Sequence, residues 1–183
     1  MKKLFLCFLS LITFGCCTHY PRYGILPPSI AALSVRFMEP TEWNGKFVPA
    51  SQGCRFQGGQ GSTPALYVSG IPQQANLLIL EIDNLDIPSL SENGGLGSIG
   101  FYHNGESAAV LLPVPGESYS LPNFAFKEKA NRVNPAKPYP YMPPCIEKKQ
   151  RYMATIKAVK RTGSFDKQKT ELLGIGEIYL GIY

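Results

Sequence analysis

Apolar residues in this chain come in short runs, each closed by glycine, proline or an Asn-Gly pair, and no run is long enough to span a bilayer. The runs read as strands: Ala32–Met38, Ala65–Ser69, Asn76–Asp83, Gly100–His103, Ala108–Val114, Arg151–Lys160 and Glu177–Tyr183. Arg151–Lys160 alternates polar and apolar residues, as a half-buried strand does, and Asn76–Asp83 is long enough for a central one. Tight-turn signals sit at Trp43-Asn44-Gly45-Lys46 and at Asn104-Gly105. With 18 Gly and 16 Pro among 183 residues and only 17% charged, the pattern predicts a globular, mainly β chain, not a disordered one. One helix is expected: Ser164 is a candidate N-cap, Asp166 an early acid and Gly174 a terminator. The Pro-rich, basic stretch Leu121–Pro144 reads as a long structured loop, with or without a short helix.

The first residues have a different logic. Met1-Lys2-Lys3 followed by apolar Leu4–Phe14 has the form of a secretory signal. Gly15-Cys16 resembles the end of a lipoprotein signal, in which Cys16 would be lipidated, while Thr13-Phe14-Gly15 also satisfies the small-x-small rule for ordinary cleavage. Both routes place the mature chain outside the cytoplasm, as an outer-membrane lipoprotein, in the periplasm or secreted. The expected organisation is a signal over 1–16, an extended leader over 17–31 and one domain over 32–183.

Export decides how the cysteines are read. Cys54 and Cys145 remain in the body, with no C-x-x-C spacing, and in an oxidising compartment they point to a disulfide over a metal site; two buried free thiols are the alternative. Charge is uneven: residues 17–126 carry 4 basic and 8 acidic side chains, residues 127–169 carry 12 basic and 3 acidic. In an exported protein such a stretch favours anionic membrane surfaces or an acidic protein target over nucleic acid, or is a solvated lysine-rich face.

Catalytic signals are sparse. With His19 and His103 the only histidines, most histidine-based catalytic and metal sites cannot be built, and no cofactor is expected. Gly95–Gly100 spells G-x-G-x-x-G but follows a Pro/Ser loop and precedes a strand, so it reads as a flexible loop at a pocket rim. A secreted serine hydrolase would need His103 as base, Ser62 or Ser98 as nucleophile and Asp83 or Asp86 as orienter, and no G-x-S-x-G elbow exposes either serine. Tyr139–Pro144 reads as a polyproline ligand or as a pocket wall.

Four separated segments resemble one family: Gly53–Leu66 its Gly-rich turn, Ile71–Pro88 its strand ending in Asp-Pro-Asp-Ala-Pro, Pro143–Tyr152 its second pocket segment, and Leu172–Tyr183 its closing Leu-x-Gly-x-Tyr strand. The chain is similar to the phosphatidylethanolamine-binding proteins, in their bacterial Raf-kinase-inhibitor-like branch. The resemblance implies a β-sandwich with a short C-terminal helix and a small pocket at one end for phosphate-like anions, in a family of binders and inhibitors. In register, Asn84 and Asp86 fall on the two acids of the family motif, Pro88 on its final proline, and Gly100 and Gln150 on its two histidines. The ligand site implied is therefore Asn84, Asp86, Pro88, Gly100, Tyr139 and Gln150. Gly100 and Gln150 cannot supply a proton or positive charge, so a lone Asp86 would repel an anion, and the altered pocket, for a small polar ligand or lipid headgroup, is expected to favour a neutral or cationic one or to have lost its ligand altogether. Asp86 is equally placed to cap the turn before Pro88. Cys54 and Cys145 lie on segments that the family brings to the same end of the sandwich.

Overall fold

The computed structural model describes residues 26–145, 148–164 and 167–183. The expected signal over 1–16, with Cys16, and most of the 17–31 leader lie outside the described residues. The described chain is almost wholly strand and loop: β1 (Ala31–Ala32), β2 (Ser34–Phe37), β3 (Leu66–Ser69), β4 (Leu77–Asn84), β5 (Gly97–Tyr102), β6 (Ala108–Leu111), β7 (Ala125–Lys129), β8 (Arg151–Thr162) and β9 (Lys169–Ile182), with three single 3-10 turns at Ala50–Gln52, Arg55–Gln57 and Pro88–Leu90. No helix among the described residues is long and apolar enough to cross a membrane.

Two sheets form. The larger runs β1-β9-β8-β4-β5-β7 and the smaller β2-β3-β6. Period-2 alternation explains how they meet. Leu78, Leu80 and Ile82 of β4, Ile99 and Phe101 of β5, and Ala154, Ile156 and Ala158 of β8 face inward and pack with Leu66 and Val68 of β3 and Leu111 of β6 in one core. β4 is buried along its whole length, as a central strand should be. Leu77, Ile79 and Val159 point to the opposite face, where they form a small separate cluster with Phe126.

The expected helix from Ser164 is not formed over 169–173. Those residues begin β9, which pairs antiparallel with β8 from Lys169 opposite Thr162 onward. The local cap and acid signals lose to a ladder partner: β8 is 12 residues long and offers hydrogen bonds as far as Thr162, and Gly163 (φ 93°) turns the chain back. Gly174 therefore ends no helix; it lies in the parallel pairing with Ala31. The Leu121–Pro144 stretch contains strand β7 where a loop or short helix is expected, and Gly97–Gly100 is β5, not loop. The Asn-Gly turn at Asn44 forms as read, its side-chain Oδ1 accepting the Lys46 N–H at 2.8 Å and Gly45 taking φ 72°.

Candidate functional site

The C-terminal end of β4 collects polar groups. Asn84 continues the inward-facing row after Ile82 and lies opposite Tyr152 of β8. It is 1% exposed, so its amide must find partners. Its Nδ2 donates to the Gln150 side-chain oxygen and sits 3.4 Å from the Tyr152 hydroxyl, while its Oδ1 accepts the Asp86 N–H at 3.0 Å. That last bond is an Asx turn: Asn84, not Asp86, caps the bend that leaves β4.

Gln150 is held from the other side. Its backbone exchanges two hydrogen bonds of 3.0 Å with Tyr183, at the end of β9. Asp86 meets the next residue, Arg151. One carboxylate oxygen accepts the Arg151 N–H at 2.7 Å, and the other accepts Nε at 2.9 Å and Nη2 at 2.6 Å. This forked pairing holds the Asp86 carboxyl below its ordinary range, chiefly through the Arg151 side chain, with burial opposing it. The expectation of a lone, repelling Asp86 is therefore corrected: its charge is balanced in place. The signal was the arginine adjoining Gln150.

Next to these groups lie tyrosines of the pocket-wall and closing segments that are not among the expected ligand-site residues. Tyr152 is 1% exposed, and burial pushes its phenol well up, with Tyr183 and Asp86 nearby adding to the rise. Tyr141 is likewise buried and raised, with Tyr152 close enough to contribute, and its hydroxyl has no hydrogen-bond partner among the described residues. Tyr183 places its hydroxyl against Gly53, where a Cβ would stand 1.8 Å from it. The Tyr141 and Tyr152 hydroxyls therefore stay protonated.

The Gly-rich turn borders this end. Cys54 and Cys145 form a disulfide with Cα atoms 5.1 Å apart, and the Cys54 N–H donates to the Pro144 carbonyl at 2.9 Å. Beside the bridge runs an open groove of about 550 Å³ bordered by Arg55, Gly58–Gly61 and Pro115–Glu117. Close approach explains the glycines: a Cβ on Gly61 would meet the Gln52 carbonyl at 2.3 Å, and one on Gly116 the Pro143 ring at 2.3 Å.

Of the residues read as the site, Asn84, Asp86 and Gln150 come together, with Pro88 exposed in the 3-10 turn just beyond. Tyr139 packs in a neighbouring loop on Tyr119, ring centroids 4.6 Å apart. Gly100 is not brought to the group. It pairs with Ile79, five positions up β4 from Asn84, about 16 Å by strand rise, and on the outer face under Phe126. The hydrolase set is not assembled either. Ser98 lies opposite Glu81, whereas His103 follows β5 at the far end, its Nε2 2.8 Å from the Glu106 carbonyl. Part of the basic stretch is engaged within the protein. Arg132 donates to the Ser89, Glu92 and Asn93 carbonyls, and Arg151, Lys157 and Arg161 are paired with carboxylates.

No family model and no curated protein matches the sequence. Solved structures do. A putative phosphatidylethanolamine-binding protein homologue from Chlamydia trachomatis, CT736, is 21% identical over 83% of this chain and 97% of its own, with a TM-score of 0.47. Escherichia coli YbcL, described as a new member of the mammalian phosphatidylethanolamine-binding family, is 17% identical over 84% of this chain and 98% of its own, with a TM-score of 0.54. The two sheets in this order and the match to YbcL make this chain's fold that of the phosphatidylethanolamine-binding proteins.

Proposed function

We propose that the protein is a non-catalytic binder, exported from the cytoplasm, that takes a small polar ligand or lipid headgroup at the Asn84–Gln150–Tyr152 end. The observation that carries the reading is the convergence of Asn84, Gln150 and Tyr152 at one end of the large sheet, beside an Asp86 carboxylate already balanced by Arg151. Neutral amide and phenol donors with one exposed guanidinium suit a ligand rich in acceptor oxygens, such as a phosphate ester, without a histidine. The disulfide and the signal-like first 16 residues support export. A second reading, a protein-binding module acting at the rim, rests on Phe56, which is 84% exposed beside the groove of Arg55 and Glu117.

An NMR titration with phosphoethanolamine and with inorganic phosphate separates the two. Saturable shifts at Asn84, Gln150, Arg151 and Tyr152, lost in Asn84→Ala, are expected. No response at those residues in the folded protein would sink the ligand reading and leave the rim.

A further inference from the structure

The outer face of the large sheet changes character along β8 and β9. The small sheet packs on the other side, and among the described residues no second layer of strands lies over this one. At the end away from Asn84 the face is open: Leu172, opposite Val159, is 36% exposed. Three residues on, it closes. Ile175, opposite Lys157, is 4% exposed, and farther along β8 Thr155 and Met153 are fully buried. The β4 register fixes their side. Lys157, Thr155 and Met153 lie opposite Ile79, Glu81 and Asp83, which alternate with the inward-facing Leu78, Leu80 and Ile82. Ile175 and Met153 belong neither to the core between the sheets nor to the cluster of Leu77, Ile79 and Val159. Two large apolar side chains are out of water on a face that the described strands leave uncovered.

The point where the chain enters the sheet matches the point where burial begins. β1 runs parallel to β9 with Ala32 opposite Ile175. Just before it, the Ile30 N–H donates to the Pro27 carbonyl at 2.9 Å and closes a turn. A turn of this kind reverses the chain, so the residues before it are aimed back along β9, from the level of Ile175 toward that of Tyr179, which pairs with Met153. Residues 18–25 reach about 26 Å when extended, against roughly 13 Å between those two levels. The other stretches outside the described residues that adjoin this sheet, 146–147 and 165–166, are two residues each and too short to cover the row.

We infer that residues 18–25 form a strap seated on the row of Ile175, Thr155 and Met153. Their composition suits the seat. Tyr20, Tyr23 and Ile25 supply apolar area for Ile175 and Met153, and the one formal charge, Arg22, is opposite in sign to Glu177, which lies between Ile175 and Tyr179. The row is buried within one chain, so a second molecule is not required to cover it. The direction of the strap also orients the protein. It ends beside Arg151, so the chain before residue 18 leaves the sheet at the end where Asn84 and Gln150 lie. A lipid anchor at Cys16 would hold that end toward the membrane; this consequence rests on the ligand reading above, whereas the strap itself does not.

Peroxide oxidation of the full chain, followed at each methionine by peptide mass spectrometry, reads the cover directly. Met38, 41% exposed in the small sheet's margin, is the internal reference. Met153 is expected to oxidise about tenfold more slowly than Met38, and in Tyr20→Ser/Tyr23→Ser the gap should close to about threefold with the Met38 rate unchanged. A second measurement uses isotope-labelled methyl groups: nuclear Overhauser contacts from Met153 and Ile175 to the rings of Tyr20 and Tyr23 are expected within one chain. Oxidation of Met153 as fast as Met38 in the parent, or protection that survives the double variant, would overturn the inference. So would ring contacts found only between differently labelled chains, which would make a second copy the occupant.

Discussion

On its inner face β4 sets Leu78, Leu80 and Ile82 against a second sheet, whereas one residue along, on the outer face, the same strand sets Leu77, Ile79 and Glu81 beneath side chains of its own sheet. The inner face is kept dry by another layer of strands. The outer face is roofed by long charged side chains whose apolar stems cover Ile79 and Val159 while their ends pair over them. The Arg161–Glu128 pair shows how far this goes. β4 and β5 lie between their strands, so the two side chains reach across roughly 14 Å of sheet. Two faces of one sheet therefore exclude water by different physics, packing area on one side and compensated charge on the other.

The comparison breaks most visibly on the inner side. Ile156, fully buried among both sheets, should cost about 3 kcal/mol on replacement by alanine, a melting point lower by roughly 10 °C, with little dependence on salt. A change that shrank markedly in high salt would deny that this face is held by packing alone.

On the outer face the expected effect is smaller and depends on which partner goes. Lys157→Ala leaves the Glu81 carboxylate buried with only the more distant Lys129, a loss of about 2 kcal/mol. The paired change Glu81→Leu with Lys157→Met should return close to the parent stability, because desolvation is relieved along with the attraction. If the double variant unfolds as readily as the single one, the ion pair contributes net stability and the roof is more than compensation.

Asp86→Asn should have the smallest effect, on the order of 0.5 kcal/mol for a largely exposed pair. Its pH dependence is the sharper signature. Because the folded carboxyl titrates below its ordinary 3.8, the Arg151 pair stabilises the fold above that pH and loses its contribution as pH falls through the lower, folded value. The stability difference between parent and Asp86→Asn should therefore be present at neutrality and close in acid, as read by melting curves from pH 7 to pH 2.

How much of this was readable follows from range. β4 was legible because its apolar run is unbroken, and β8 because its alternation is regular. The Asn84–Asp86–Gln150 group was legible through resemblance. What failed were judgements in which local pattern competes with a distant partner. Lys169–Leu173 carries helix signals, yet β8 supplies a ladder that no local rule can see. Gly100 matched a histidine of the family by counting, but a β5 that begins at Gly97 places it mid-strand under Phe126. Arg151 beside Asp86 crosses 65 positions and closes only when β8 lies next to β4. Tyr141, Tyr152 and Tyr183 each lie in a segment legible from the sequence, but in three separate ones, so nothing local says that they meet. They become a group because three strand ends and a disulfide-tied segment arrive at one place.

That disulfide also divides the molecule mechanically. It spans 91 positions and encloses β3 through β7, so this stretch cannot lengthen under load while the bridge is intact. The two arms outside it meet through the parallel contact of β1 with β9. Tension applied at Ala31 and Tyr183 pulls these strands along their length, in shear, and then unzips β9 from β8. Roughly 310 Å of contour remains locked between the cysteines until they are reduced. Stretched end to end, the protein would behave as two extensible arms joined by a knot of fixed size.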